Sequence, residues 1–241
     1  MGLIVQKFGG TSVADRTCID NVANIITRRV AEGHRVITVV SAQGDTTDHL
    51  LAKAEEITEN PNLRELDALI STGEQSSAAL LALALIRNGI SAISLNGYQA
   101  GILTDSNYGN AEILQINIQK LFDLINDGKT IIVAGFQGVD ENGFTTTLGR
   151  GGSDTSAVAI AAAIKADICR IYKDVDGIYT SDPRKNLNAR KLDYITYDDM
   201  LQLCDSGSGV LHKRSVELAK EHGIKLEILS SFQFLKGTII A

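Results

Sequence analysis

The chain has 241 residues, 44% of them hydrophobic and 22% charged, with a formal net charge of −6. That length carries a sizeable core without staples. The negative balance, with no basic run, argues against nucleic acid or an anionic membrane surface as partner. The three cysteines, Cys18, Cys169 and Cys204, are too dispersed for a disulfide framework or a zinc motif. No apolar run reads as long enough to span a bilayer, and no basic and apolar leader precedes the first strand, so a cytoplasmic protein is expected.

In chain order, Ile4 to Phe8 reads as a short buried strand, followed by Gly9-Gly10-Thr11-Ser12 and a helical pattern with Val13, Ile19, Val22, Ile25 and Ile26 on one face. Lys7 then lies at a strand end beside a helix N-terminus that would attract anions. A second strand, Val36 to Val40, leads into the polar turn Ser41 to Thr47 before a helix near Asp48; this turn either binds a ligand or caps that helix. Ser71-Thr72-Gly73-Glu74 lies inside a helical stretch ahead of the apolar run Ala78 to Ile86, which reads as buried core. Pattern alone leaves Glu74 either facing a ligand or facing solvent.

Further strands are expected at Ile90 to Leu95, Ile131 to Val133 and Ile168 to Tyr172, with a hairpin over Val139 to Phe144 whose tip is Asn142-Gly143. Strands alternating with helices predict a largely parallel sheet covered on both faces, with ligands at the C-terminal strand ends. The hairpin's returning strand, Thr145 to Thr147, feeds Leu148-Gly149-Arg150-Gly151-Gly152-Ser153-Asp154 and then an apolar helix expected over Thr155 to Ala166. A glycine pair at a helix start presents free N–H groups and the positive end of the dipole, which makes a phosphate seat. Arg150 adds a planar cation suited to a carboxylate or phosphate, and Asp154 a carboxylate able to orient a cation or accept a proton. The plainer alternative is a helix with a glycine-rich entrance. The loop Lys173 to Arg184, with Asp174, Asp176 and Tyr179, suits a nucleotide by ring stacking and charge, or is an ordinary surface loop.

Taken together, these segments closely resemble the aspartokinase catalytic domain within the amino acid kinase family. The resemblance runs through Lys7-Phe8-Gly9-Gly10-Thr11-Ser12, Ser71-Thr72-Gly73-Glu74-Gln75, Gly135-Phe136-Gln137-Gly138, Thr145 to Asp154, Asp174-Val175-Asp176-Gly177 and Val210-Leu211-His212. It implies a three-layer α/β/α fold with a mainly parallel central sheet, a single catalytic domain over residues 1–241, and ATP-dependent phosphorylation of the L-aspartate side-chain carboxylate. The product would be 4-phospho-L-aspartate, on the way to lysine, threonine and methionine. By position it implies that Lys7, Gly10, Gly152 and Asp154 serve catalysis. Ser41, Thr47, Glu74, Arg150 and Ser153 would hold aspartate. Lys7, Gly9, Gly10, Thr11, Ser12, Lys173, Asp174, Tyr179 and Arg184 would hold ATP, with Mg²⁺ accompanying it and no dedicated metal ligands. The expected partners are a second copy of the chain and a separate regulatory subunit. Three departures from the family pattern stand out: the sequence stops after Ser230-Ser231-Phe232 and a short tail where family members continue into ACT domains, so no ACT regulatory domain is expected; Gly209 occupies the place of a lysine; and Lys173 that of a threonine or serine. Lys173 either supplies the charge that Gly209 lacks, or points to solvent or pairs with Asp174.

Overall fold

The structure is a computed structural model and describes residues 2–181, 186, 188–206 and 209–241. Among these, the strands in chain order are β1 (Leu3–Phe8), β2 (Arg35–Val40), β3 (Ala92–Leu95), β4 (Ile102–Thr104), β5 (Ile113–Ile116), β6 (Thr130–Ala134), β7 (Gln137–Val139), β8 (Thr145–Thr147), β9 (Ile168–Lys173), β10 (Tyr194–Ile195), β11 (Leu226–Ser230) and β12 (Thr238–Ile240). The helices are α1 (Arg16–Ala31), α2 (Thr46–Ile57), α3 (Leu63–Ile70), α4 (Thr72–Arg87), α5 (Ile118–Asn126), α6 (Gly152–Ala163), α7 (Tyr197–Asp205) and α8 (Lys213–His222). The central sheet has the order β10-β12-β11-β9-β1-β2-β6-β3. Every pair in it is parallel except β11 with β12.

Strand alternation decides which helix layer each residue meets. Leu3 and Val5 of β1 join Ala157, Val158, Ile160 and Ala161 of α6 in one core cluster, whereas Phe8 joins Val22 and Ile26 of α1 in the other. Lys7 continues the Leu3–Val5 series and so points toward α6. In β9, Cys169 and Ile171 share that face. The strand runs one residue beyond the expected Tyr172, which puts Lys173 on the same side.

A second sheet, β5-β4-β7-β8, was not expected from the sequence. Its β7 and β8 pair antiparallel across the foreseen turn, where Asp140 Oδ1 accepts from the amides of Asn142 and Phe144. Other expectations need correction. The Gly9-Gly10 turn opens a four-residue 3-10 turn, Gly10–Val13, instead of α1, whose own N-terminus is closed by Asp15 accepting from the Cys18 amide. Helix α6 spans Gly152–Ala163, earlier than the expected Thr155 to Ala166, because a left-handed Gly151 already turns the chain into it. The third strand begins at Ala92, two residues late.

The sequence does contain a run of bilayer-crossing length. Leu63–Arg87, spanning α3 and α4, is a 25-residue helical stretch in which an 18-residue window reaches a mean hydropathy of 1.4. Here it packs on the sheet, with more than half of that window buried. It also carries the buried carboxylates Asp67 and Glu74. Its α4 portion is not wholly core, since Leu80, Leu83 and Ile86 are exposed.

Candidate active site

The first turn of α6 meets the C-terminal ends of β1 and β9. Asp154 is 2% exposed there, with Lys7 Nζ 2.7 Å from its Oδ1 and Lys173 Nζ 3.1 Å from its Oδ2. Burial by itself would push the Asp154 carboxyl up, but the two ammoniums outweigh it and hold it at about 2. Asp154 is therefore an anion at any physiological pH: it orients cations and does not accept a proton. Burial lowers the Lys7 ammonium, with Lys173 adding to that and Asp154 opposing it. Two lysines against one carboxylate leave the cluster net positive, as an anion seat requires. Lys173 pairs with Asp154 rather than with its neighbour Asp174, which is exposed.

The glycine turns frame this cluster. At Gly10 a Cβ would come 2.8 Å from the carbonyl oxygen of Ala42, so only glycine lets the Gly9–Ser12 turn lie against the Ser41–Gly44 turn. The Gly44 amide donates to the Gly10 carbonyl at 3.1 Å, locking the two together. Ser12 is buried, and its hydroxyl shares a 2.5 Å hydrogen bond with that of Ser231. Ser231 also donates its amide to the Lys173 carbonyl and accepts from Asn21 Nδ2. Gly151 has φ 73°, and a Cβ on it would fall 2.1 Å from His212 Cγ, so the imidazole lies directly on the helix entrance. The Gly152 amide is not free as expected: it donates to the Gly149 carbonyl at 3.0 Å. Helix geometry leaves the amides of Ser153 and Asp154 to face an anion instead. No side chain caps α6, so its dipole is open to one.

Beside the seat, Glu74 in the first turn of α4 is 3% exposed. Its Oε1 accepts from the Ala42 amide at 3.1 Å, and its Oε2 is buried with no partner among the described residues. Burial pushes its carboxyl up to about 7, against the pull of the Ala42 amide and the Lys7 charge. A buried carboxylate oxygen with no partner is a place for a cation. Ser41 on the Ser41–Gly44 turn and Thr47 in the first turn of α2 are half-buried, Ser153 is buried in α6, and Arg150 is exposed at the approach to the helix. Gly135 backs Ser153, whose Oγ would lie 3.0 Å from a Cβ there.

The structure does not join every candidate to this cluster. Tyr179 donates its hydroxyl to Asp176 Oδ1 at 3.0 Å, and Lys191 holds Oδ2 of the same carboxylate. Among the described residues, no contact links Tyr179 or Asp174 to Lys7 or Asp154. Arg184 lies outside the described residues. Gly209 is exposed at φ 63°. Two grooves, one of about 410 Å³ between α6 and α8 and one of about 600 Å³ beside α7, contain none of Lys7, Glu74 or Asp154.

Two residues were given no role in the sequence reading. Phe136 stands at φ 69° with its carbonyl bonded to the Leu148 amide and its ring against Gly152, a strained position of the kind that collects at ligand sites. Its flanking glycines were the available signal. Asp67 lies seven residues, about two helical turns, before Glu74, a spacing that puts both on one helix face.

The sequence model of the Amino acid kinase family matches residues 2–230. An aspartokinase from Bacillus sp. strain MGA3 is 55% identical over 240 residues, which is all of this chain and 58% of that protein. The chain thus spans little more than half the length of such relatives. The crystal structure of aspartate kinase from Synechocystis superposes with a TM-score of 0.90 at 48% identity, covering 99% of this chain and 39% of that one. The E. coli aspartokinase III structure in complex with aspartate and ADP gives 0.87 at 28% identity, covering 99% and 64%. With a family match across nearly its whole length and the three-layer fold that goes with it, the chain belongs to the amino acid kinase family.

Proposed function

We propose that this chain transfers the γ-phosphoryl group of ATP to the side-chain carboxylate of L-aspartate, forming 4-phospho-L-aspartate and ADP. The observation that carries the reading is the Lys7–Asp154–Lys173 cluster set at an uncapped helix N-terminus, beside a buried Glu74 with a free oxygen. The aspartokinase relatives and the aspartate and ADP of the E. coli neighbour support the choice of acceptor. A carboxylate oxygen attacks the γ-phosphorus, a new P–O bond forms, and the bond to the β-phosphate oxygen breaks with its electron pair leaving on ADP. Both reactants are anions, so the protein's task is to hold them together and neutralise charge.

Lys7 and Lys173 face the charge that builds on the transferring group and the leaving phosphate, while Asp154 keeps both ammoniums aimed. The amides of Gly9, Gly10, Ser153 and Asp154 line the phosphate path, with Thr11 and Ser12 shaping the first turn. Glu74 Oε2 takes the aspartate ammonium, Arg150 its α-carboxylate, and Ser41, Thr47 and Ser153 supply hydroxyls. Asp174, Tyr179 and Arg184 serve the nucleoside end. Mg²⁺ would supply further charge neutralisation on the phosphates. Asp154 has both oxygens engaged by lysines, and no group of three candidate metal-ligating side chains occurs among the described residues, so the donor set suits a dication that arrives with the nucleotide. The test is a coupled ADP-release assay with Mg²⁺, ATP and a panel of aspartate, glutamate and acetylglutamate. Aspartate should lead; turnover of another acceptor in preference, or none at all, would overturn the proposal.

A further inference from the structure

Asp67 is a carboxylate 1% exposed, on α3, that touches neither lysine of the cluster. Its Oδ2 accepts from the amides of Thr147 at 2.8 Å and Gly109 at 2.9 Å, and its Oδ1 accepts from Thr147 Oγ1 at 2.7 Å. Three donors converge on one acceptor-only group, which accounts for a buried carboxylate here without a cationic partner. What it grips matters more than how firmly. Thr147 is the last residue of β8, three positions before Arg150, and the Thr147 carbonyl is itself held by the Ala111 amide at 2.8 Å. The Gly109 carbonyl and Asn110 Oδ1 lie against Gly149, and Arg214 bonds the Leu148 and Ala111 carbonyls from the other side. The approach to Arg150 is therefore braced, with Asp67 as the link from that brace to the helical layer.

The other end of the same link leads to Glu74. Helix α3 passes through Ser71 into α4, and the Ser71 carbonyl accepts from Gln137 Nε2 at 2.8 Å, so the junction is tied to β7, the partner strand of β8. Asp67 thus stands where the element carrying Glu74 is bonded to the element carrying Arg150. We propose that Asp67 is a positioning residue that fixes the separation of Glu74 and Arg150 and so sets which length of amino acid the site accepts. The inference rests on the proposed function only in taking those two groups as the partners of the acceptor's ammonium and carboxylate.

The conservative change keeps the register. In Asp67→Asn the amide oxygen can accept from both backbone N–H groups while its nitrogen donates to Thr147 Oγ1, whereas Asp67→Ala strands the buried Thr147 amide and the half-buried Gly109 amide. Steady-state kinetics of wild type, Asp67→Ala, Asp67→Asn and Thr147→Val should show the aspartate KM of Asp67→Ala up about tenfold with the ATP KM within twofold, and aspartate-over-glutamate selectivity down by roughly tenfold, the scale of one methylene. Asp67→Asn should stay within about threefold of wild type. Thr147→Val, which loses one bond only, should fall between and serves if Asp67→Ala does not fold. Equal rises in both KM values, or a lowered Tm with unchanged selectivity, would overturn the idea. Amide hydrogen exchange of residues 145–152 provides a reading independent of turnover. Faster exchange there in Asp67→Ala, or in Thr147→Val should Asp67→Ala not fold, supports the brace even if aspartate proves the wrong acceptor, and unchanged exchange refutes it.

Discussion

Replacing Glu74 by glutamine tests the electrostatics of the amino-acid pocket without needing turnover. The Glu74 carboxyl rises from an ordinary 4.5 to about 7 on burial. A carboxyl whose folded value is raised binds more protons folded than unfolded between those two values, so its contribution to stability is complete at low pH and is lost as pH climbs through that window. At 1.36 kcal/mol per unit, the loss is about 3 kcal/mol between pH 4.5 and 7. Glu74→Gln has no such titration and keeps the acceptor for the Ala42 amide, while its NH₂ replaces an oxygen that already lacked a partner. Urea unfolding at pH 5 and pH 8 should therefore show the variant gaining on wild type by about 2–3 kcal/mol as pH rises. Aspartate binding should vanish in the variant. In wild type at pH 7 it should release roughly half a proton, because an ammonium at Oε2 favours the charged carboxylate, and calorimetry in buffers of different ionisation enthalpy reads that number. A wild-type-to-variant stability gap that stays constant between pH 5 and pH 8 would refute the reasoning.

Arg150→Lys keeps charge and loses the planar fork, so the aspartate KM should rise about tenfold while the ATP KM moves less than twofold; equal shifts would remove Arg150 from the acceptor site. Lys173→Thr leaves Asp154 with one ammonium and should lower kcat/KM for ATP by roughly 10- to 100-fold. Adding Gly209→Lys should restore only part of this, since φ 63° at that position costs a side chain about 1 kcal/mol; unchanged ATP kinetics in Lys173→Thr would exclude it from phosphate binding. Gly151→Ala forces the His212 ring off the helix entrance and sets alanine at φ 73°, so thermal unfolding should show a loss of about 1–3 kcal/mol together with weaker nucleotide binding.

The fold was legible where strands were long enough to show a pattern. The strands β1, β2, β6 and β9 carry runs of Ile and Val bounded by turn residues, and their alternation with helices gave the parallel sheet. The small sheet was not, because β4, β7 and β8 have three residues each, below the length at which a two-residue period can be seen, and β8 is all threonine. Lys7 was found because it ends a clear strand. Lys173 was noticed, but its partner was not, since ending β9 at Tyr172 discarded the parity with Ile171 that aims it at Asp154. Asp67 stayed hidden for another reason: its partners, Thr147 and Gly109, are 80 and 42 residues away, and nothing local to α3 requires a carboxylate.

The hydrogen bond between the hydroxyls of Ser12 and Ser231 joins positions 219 residues apart, and β1 pairs with β9 across nearly as long an interval. Contacts of that span close late, because the loop entropy must be met before they reward the chain. During synthesis β1 emerges well before its partners: its β9 edge waits for residues 168–173 and its glycine turn for residue 231. Until then it is an apolar strand with an unpaired edge, the kind of surface on which nascent chains associate wrongly or chaperones dwell. The anion seat consequently forms only after residue 231 has been made, and a ribosome-bound fragment that lacks the β11 end would expose β1 without presenting a finished site.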